Sequence, residues 1–174
     1  MKIYDISQEV FSCEVYPGDP VPEKTALKSM QEGEVYNLTA FSMCAHNGTH
    51  IDAPIHFIKD GKTVDEICLE AFVGMAYVAK HHGIVTGDNA SQILEKAKEQ
   101  NPEAAKRILI KGDVEVLLEA AKVFDSSNIL LLGTSLRQSD HKVPQWQSIL
   151  HYYLQMLSCL RGFVWQMCPK VYIS

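Results

Sequence analysis

Residues 46–57 read His-Asn-Gly-Thr-His-Ile-Asp-Ala-Pro-Ile-His-Phe, and three of the chain's seven histidines fall inside that run. His46, His50, Asp52 and His56 all occupy even positions. In extended backbone alternate side chains share a face, so the four could point the same way. A helix would also pair His46 with His50 at i, i+4, as in zinc-binding H-E-x-x-H helices. The composition of the run argues against a helix: Gly48 is a poor helix former, Thr49 and Ile51 are β-branched, and Pro54 would break the helix before His56. A straight strand also fails. At ~3.3 Å per residue, His46 and His50 would stand ~13 Å apart, too far for zinc–imidazole bonds of ~2.1 Å. The segment must therefore bend, and Gly48 permits the bend. The expectation is a strand end running into a turn, with two imidazoles and a carboxylate converging on one cation. Such nitrogen and oxygen donors suit zinc, or less selectively manganese or iron.

The pattern His46-x-Gly48-Thr49-His50-x-Asp52-x-Pro54-x-His56 resembles the signature of the cyclase-like metal-dependent hydrolases that include bacterial kynurenine formamidase. The resemblance extends over roughly residues 1–134. It implies that His46, His50 and Asp52 bind metal, with Asp52 bridging two ions, and that His56 is the proton donor and acceptor. It also implies one or two zinc ions as cofactor. The implied reaction is hydrolysis of a small amide such as N-formylkynurenine, a step in tryptophan catabolism, with the ion lowering its water's pKa toward ~7 to supply hydroxide. The alternative is a non-catalytic metal-binding protein or an inactive relic.

The run Tyr16-Pro17-Gly18-Asp19-Pro20 is turn chemistry. By resemblance this turn lies beside the active site, where the formamidases tend to carry a pocket-lining Trp at the position of Tyr16. Tyr16 is therefore the expected substrate-binding residue. It keeps an aromatic face but changes its size and adds a hydroxyl.

A net charge of −5 without a basic cluster argues against nucleic acid or anionic membrane as partners. No apolar run approaches the ~20 residues of a membrane span, and the first residues lack the apolar core of a signal peptide. The five cysteines form no CxxC pair, which fits reduced thiols in a cytoplasmic protein. Cys44, two residues before His46, is read as a small buried strand residue rather than a ligand. The expected partners are a small-molecule substrate and further copies of the chain, as a homodimer or homotetramer.

The 174 residues suit one domain. Strands are expected at 2–7, 35–45, 72–79, 107–111 and 128–133, the third of these central because it is apolar on both faces. A helical turn is expected over 63–69. Helices are expected over 90–100, capped by Asp88 or Asn89, and over 114–122, capped by Asp113. His81 and His82 read as a solvated loop, because adjacent residues on a strand point apart. Strands alternating with helices indicate an α/β domain with a mixed β-sheet. The resemblance implies a compact β/β/α layered arrangement in a single domain over 1–174.

Residues 135–174 depart from that texture, with both tryptophans and a single acidic residue, Asp140. The resembled family carries there a metal-binding His, a bridging Glu in a Leu-Glu-Gly context and a Val-Pro-Glu-Gly turn. None is written in this chain. Reading the last base of each codon with the first two of the next, residues 167–173 permit Val-Pro-Glu-Gly-Val-Tyr and residues 158–164 permit Val-Leu-Glu-Gly-Leu-Cys. The expectation is a displaced reading frame from near residues 134–138, leaving 135–174 an aberrant tail. By spacing, neither His141 nor His151 can be assigned as a ligand.

Overall fold

The computed structural model describes residues 5–56 and 58–135, together with the backbone of 163–166. The expected landmarks of the tail, and the displaced frame, lie outside the described residues apart from Ser135 and that short backbone segment. Eleven elements follow in order: strands β1 (Glu23–Lys28), β2 (Leu38–Ser42), β3 (Ile51–Asp52), β4 (Tyr77–Lys80) and β5 (Gly83–Val85), helix α1 (Gly87–Gln100), strands β6 (Arg107–Lys111) and β7 (Val114–Val116), helix α2 (Leu118–Ser126), and strands β8 (Leu131–Thr134) and β9 (Phe163–Gln166). The fold is α/β with a mixed sheet. The five-stranded sheet has the order β3-β9-β8-β6-β4. β4, β6, β8 and β9 run parallel and β3 antiparallel. β5 and β7 form a parallel pair beside it, and β1 and β2 form an antiparallel hairpin. Among the described residues no helix is long and apolar enough to cross a membrane.

Parity along β6 and β8 separates two layers. Ile108, Ile110 and Leu132 join Ala90, Ile93, Leu94 and Ala97 of α1 and Ala120 and Phe124 of α2 in the main core. Leu109 and Leu131 point to the opposite face, where Ala71, Ile6 and Ile51 pack on them. Because Ile51 is drawn into this second layer, its neighbours His50 and Asp52 are turned away from it. The sheet thus fixes the facing of the histidine-rich segment.

Several expected elements fall elsewhere. Asp5–Ser7 is not a strand, because the Asp5 carboxylate accepts from both the backbone N–H and the hydroxyl of Ser7, at 2.9 and 2.6 Å. Such a local bond competes with a sheet ladder. Lys2–Tyr4 lie outside the described residues. The strand expected over 35–45 is confined to β2. The strand expected over 72–79 begins only at Tyr77 and lies at an edge of the described sheet, not its centre. Its first residues turn instead, with the Phe72 and Val73 N–H groups donating to the Leu69 carbonyl, and the guanidinium of buried Arg107 donates to the carbonyls of Glu70 and Ala71 just before them and of Met75 after them. A Cβ on Gly74, at φ +150°, would lie 2.6 Å from that guanidinium.

Helix α1 starts earlier than expected. Thr86 caps it, and Thr86 and Asn89 exchange side-chain and backbone hydrogen bonds as a reciprocal box. Asp113 caps no helix. Val114–Val116 pair in parallel with Gly83–Val85 instead, as β-branched residues favour, and α2 starts only at Leu118. The turn expected over 63–69 is present at Val64–Glu66, where the Glu66 carboxylate accepts from the Thr63 N–H at 2.8 Å.

Candidate metal centre

A strand end runs into a turn at the histidine-rich segment, as expected, and a short strand that was not expected follows the turn. β2 ends at Ser42, residues 45–49 turn, and only Ile51 and Asp52 are strand. The bend falls at Gly48, whose φ of +66° lies in the left-handed region that glycine enters without steric cost. The bend brings His46 and Asp52 into contact, with His46 Nδ1 2.7 Å from Asp52 Oδ1. His50 Nε2 lies 3.4 Å from the same oxygen. One ligand atom from each of His46, His50 and Asp52 falls within 4.8 Å of the others. His50 and Asp52 are largely buried and His46 is less so.

The odd-numbered residues hold this shape. Asn47 is buried; its amide donates to the Val10 carbonyl at 2.7 Å, and its Oδ1 accepts from the Cys13 thiol at 3.4 Å. The Asn47 backbone N–H donates to the Cys44 carbonyl at 3.2 Å. Thr49 Oγ1 accepts from the Gln8 N–H at 2.9 Å. Residues 8–13 thus clamp one side of the turn while the imidazoles occupy the other. Sequence reasoning missed Asn47 and Thr49. The available signal was that both are polar, sit at alternate positions to the histidines, and so needed partners of their own on the opposite face.

The donor set fits a divalent cation. His50 Nδ1–H donates to the Gly48 carbonyl at 2.9 Å, which assigns the ring's tautomer and leaves Nε2 toward Asp52. Burial presses the His50 pKa down, but the hydrogen bonds to Asp52 and the Gly48 carbonyl and the Asp52 charge outweigh it, and the net shift is upward. Burial presses Asp52 toward its neutral form. The His50 hydrogen bond and the charges of His50, His46 and His56 outweigh that, so its pKa is lowered and it is a carboxylate at neutral pH. Two imidazoles and a carboxylate at this spacing suit zinc and its first-row neighbours.

His56 reaches the site by a different route from the shared strand face expected for it. Pro54–His56 is a single 3-10 turn with Pro at its first position, where the missing N–H costs nothing. The His56 ring stacks on His46, with centroids 3.7 Å apart and planes tilted by 33°. It lies outside the three-residue group. Its pKa is lowered, first by burial and then by His46 and His50, against the opposing pull of Asp52 and Asp19. Tyr16 stands on the turn closed by the Asp19 N–H on the Tyr16 carbonyl at 3.0 Å. It is partly exposed, and Asp19 of that turn is close enough to His56 to act on it electrostatically. Cys44 is half-buried and off any strand, and it belongs to no ligand group among the described residues. His81 and His82 lie in a loop, as expected.

Comparison with known proteins gives a consistent result. The chain is 34% identical over 110 residues to a kynurenine formamidase of Salinibacter ruber, covering 55% of this chain and 51% of that protein. It is 41% identical over 76 residues to the enzyme of that name from Geobacillus thermodenitrificans, covering 42% and 36% respectively. The matched region therefore spans about half the length, or less, of these curated relatives. In fold, the chain is similar to a protein described as a potential metal-dependent hydrolase with cyclase activity, with a TM-score of 0.67 at 20% identity, covering 97% of this chain and 83% of that one. It is also similar to an isatin hydrolase solved with the product analogue thioisatinate, with a TM-score of 0.63 at 15% identity, covering 94% and 78%. The family model described as Putative cyclase matches residues 4–154, and the chain belongs to that cyclase family.

Proposed function

We propose that this protein is a metal-dependent hydrolase of a small amide, arylformamidase-like, with N-formylkynurenine or a related compound as substrate. The observation that carries the proposal is the convergence of His46, His50 and Asp52 on one point, on a bend that the sequence specifies. In this reading these three residues hold zinc, or manganese or iron. When bound, the ion acidifies a water and polarises the amide carbonyl. The chain's own part is to fix the donors and to move one proton. The Gly48 carbonyl keeps His50 in one tautomer, and Asp52 stays ionised between the two imidazoles. His56 takes the proton released as water adds to the carbonyl carbon. It returns that proton to the leaving nitrogen as the C–N bond breaks. Tyr16 offers an aromatic face to the substrate.

A second reading is a metal-binding chain without turnover. It is favoured by the ligand supply: among the described residues a single group of three is found, all from one segment. By family resemblance a second ion would need a His and a bridging Glu that residues 135–174 do not write. We treat 1–174 as a single cyclase-like domain whose segment 135–174 is aberrant. The chain acts on a small molecule in the cytoplasm, as a homodimer or homotetramer.

The test measures zinc and manganese in protein purified without added metal, then hydrolysis of aryl formamides. Both are done on the chain as written and on a chain with the frame of 135–174 restored. Metal in both with turnover only in the restored chain supports the hydrolase reading with a defective tail. Metal with no turnover in either supports the second reading. Protein free of metal, and unable to bind it on titration, refutes both.

A further inference from the structure

The chain from Pro54 to Lys62 closes on itself, and His56 stands near its outset. The His56 N–H donates to the Ala53 carbonyl at 2.9 Å, and the Ile58 N–H to the Pro54 carbonyl at 2.9 Å. The chain reverses at Asp60, whose φ of +64° lies in the left-handed region that Asp enters more readily than most residues. The Gly61 N–H donates to the Ile58 carbonyl at 2.9 Å, and the Ile55 N–H reaches across to the Lys62 carbonyl at 3.1 Å. The returning arm, Gly61 and Lys62, is thereby laid along Pro54 and Ile55, the two residues just before His56.

Gly61 differs from Gly48 in what it supplies. Its φ is outside the left-handed region, so its backbone would suit any residue. What the position lacks is room. A Cβ there would lie 2.7 Å from the Pro54 carbonyl carbon, 2.8 Å from the Ile55 nitrogen and 2.9 Å from the Ile58 carbonyl oxygen. Ordinary Cβ contacts begin at 3.4 Å. All three neighbours are backbone atoms, which cannot swing aside as a flexible side chain would. Any residue larger than glycine must therefore part the arm from the Pro54–Ile55 peptide.

We propose that Gly61 is a positioning residue for His56: its missing side chain lets the returning arm lie flush on the Pro54–Ile55 peptide, which fixes where the His56 ring stands. That ring stacks on His46 with 3.7 Å between centroids, so a shift of the peptide carries directly into the contact between the two imidazoles. Pro54 cannot absorb such a shift by turning about its own N–Cα bond, because its ring locks φ. The displacement passes on to His56. The catalytic consequence rests on the hydrolase reading, in which His56 carries a proton from the water to the leaving nitrogen. A reacting group misplaced by about 1 Å costs about 10²-fold in rate. Gly61 touches neither the substrate nor the cation in this scheme and acts only through His56.

The test has a spectroscopic arm and a kinetic arm. In the metal-free full chain with carbon-13 histidine, recorded at about pH 9, above the ordinary imidazole range, His56→Gln identifies the His56 ring signal. Gly61→Ala should move that signal and the His46 signal and leave those of His81 and His82 in place. Asp60→Gly, which keeps the left-handed turn, should move none of them. In the frame-restored chain, Gly61→Ala should keep its metal and lower kcat by about 10²-fold with KM little changed. A His56 signal unmoved in a folded Gly61→Ala chain, or one moved equally by Asp60→Gly, would overturn the proposal. So would an unchanged kcat in Gly61→Ala where His56→Gln does cost rate, and that outcome leaves the hydrolase reading standing. If His56→Gln costs no rate while Gly61→Ala still moves the His56 signal, the proton-transfer reading fails and the placement of His56 by Gly61 is upheld. Should Gly61→Ala fold poorly, amide exchange in the parent decides: the Ile55, Ile58 and Gly61 N–H groups should exchange slowly and together, and free exchange of all three would refute the closed loop.

Discussion

Asn47 is the residue whose replacement best tests how the metal site is held. Its amide donates to the Val10 carbonyl at 2.7 Å and its Oδ1 accepts from Cys13 at 3.4 Å, in a position only 4% exposed. Asn47→Ala removes both contacts and leaves the Val10 carbonyl, in a part-buried setting, with one partner fewer, which costs about 1 kcal/mol. For a chain of this size that corresponds to a Tm lower by about 2–4 °C for each kcal/mol. Asn47→Asp should be worse than Ala, although it is nearly isosteric. Its carboxylate can still accept from Cys13, but it replaces the donor to Val10 with a charge facing a carbonyl oxygen. The expected order of stability is Asn above Ala above Asp. Since Asn47 adjoins His46 and Gly48, loosening it should also weaken metal binding by about 10–100-fold, the usual cost of losing an outer partner. Thermal melts of metal-free protein and cobalt titration followed by its visible spectrum give the two readouts. If Asn47→Ala melts with the parent and Asn47→Asp is no worse than Ala, the clamp between residues 8–13 and the turn is not what holds the site.

The remaining expectations concern the site itself. His50→Ala should abolish tight metal binding, measured by metal content after dialysis, because it removes the most buried imidazole of the group. His56→Ala should retain metal and, in a frame-restored active chain, lose about 10²–10⁴ in rate; loss of metal instead would make His56 a ligand. Tyr16→Trp should shift preference toward aryl formamides through a larger stacking face, and an unchanged substrate profile would leave Tyr16 a structural aromatic. The pH dependence has a defined sign. The lowered pKa of Asp52 contributes stability above the ordinary carboxylate range, and that contribution is lost as pH falls through its depressed value. The raised pKa of His50 contributes stability that is fully present below the ordinary imidazole value and lost as pH rises through its elevated one. Metal affinity should run the other way over that upper range, rising with pH as the cation displaces the His50 proton. Metal-free melts and metal titrations across pH 5–9 check both, and a metal affinity that falls as pH rises through neutrality would refute the assignment of His50 Nε2.

The convergence of His46, His50 and Asp52 was legible because its constraints are local. Gly48 and the parity of His46, His50 and Asp52 are written within seven residues, and the bend they require is the one observed at φ +66°. His56 meets His46 by a route the sequence did not suggest: one parity implied one strand face, whereas Pro54 opens a 3-10 turn that swings His56 onto the His46 ring. The sheet assignments failed where a distant residue decided the outcome. Phe72–Ala76 has strand composition, yet Phe72 and Val73 bond back to the Leu69 carbonyl, and Arg107, more than thirty residues on, holds the flanking carbonyls of Glu70 and Ala71 and that of Met75. Val116, Leu117 and Ala120 match a helix periodicity, but pairing of Val114–Val116 with Gly83–Val85 satisfies their backbone in a strand.

The same distinction explains why the support of the candidate site was invisible while its candidate donors were not. Metal donors must be His, Cys or carboxylate, so their identity announces them. The groups that hold them need only one hydrogen bond each, which Asn, Thr or a backbone carbonyl can supply equally well. Asn47 and Thr49 became recognisable only when residues 8–13 were seen against them. Once Ile51, partly buried, packs against the cluster of Leu109 and Leu131, alternation places His50 and Asp52 on the open side. The clamp on Asn47 and Thr49 then decides the angle at which His46 returns to meet them. A chain that kept every donor but lost this clamp would still carry the motif in its sequence, and would bind its cation poorly.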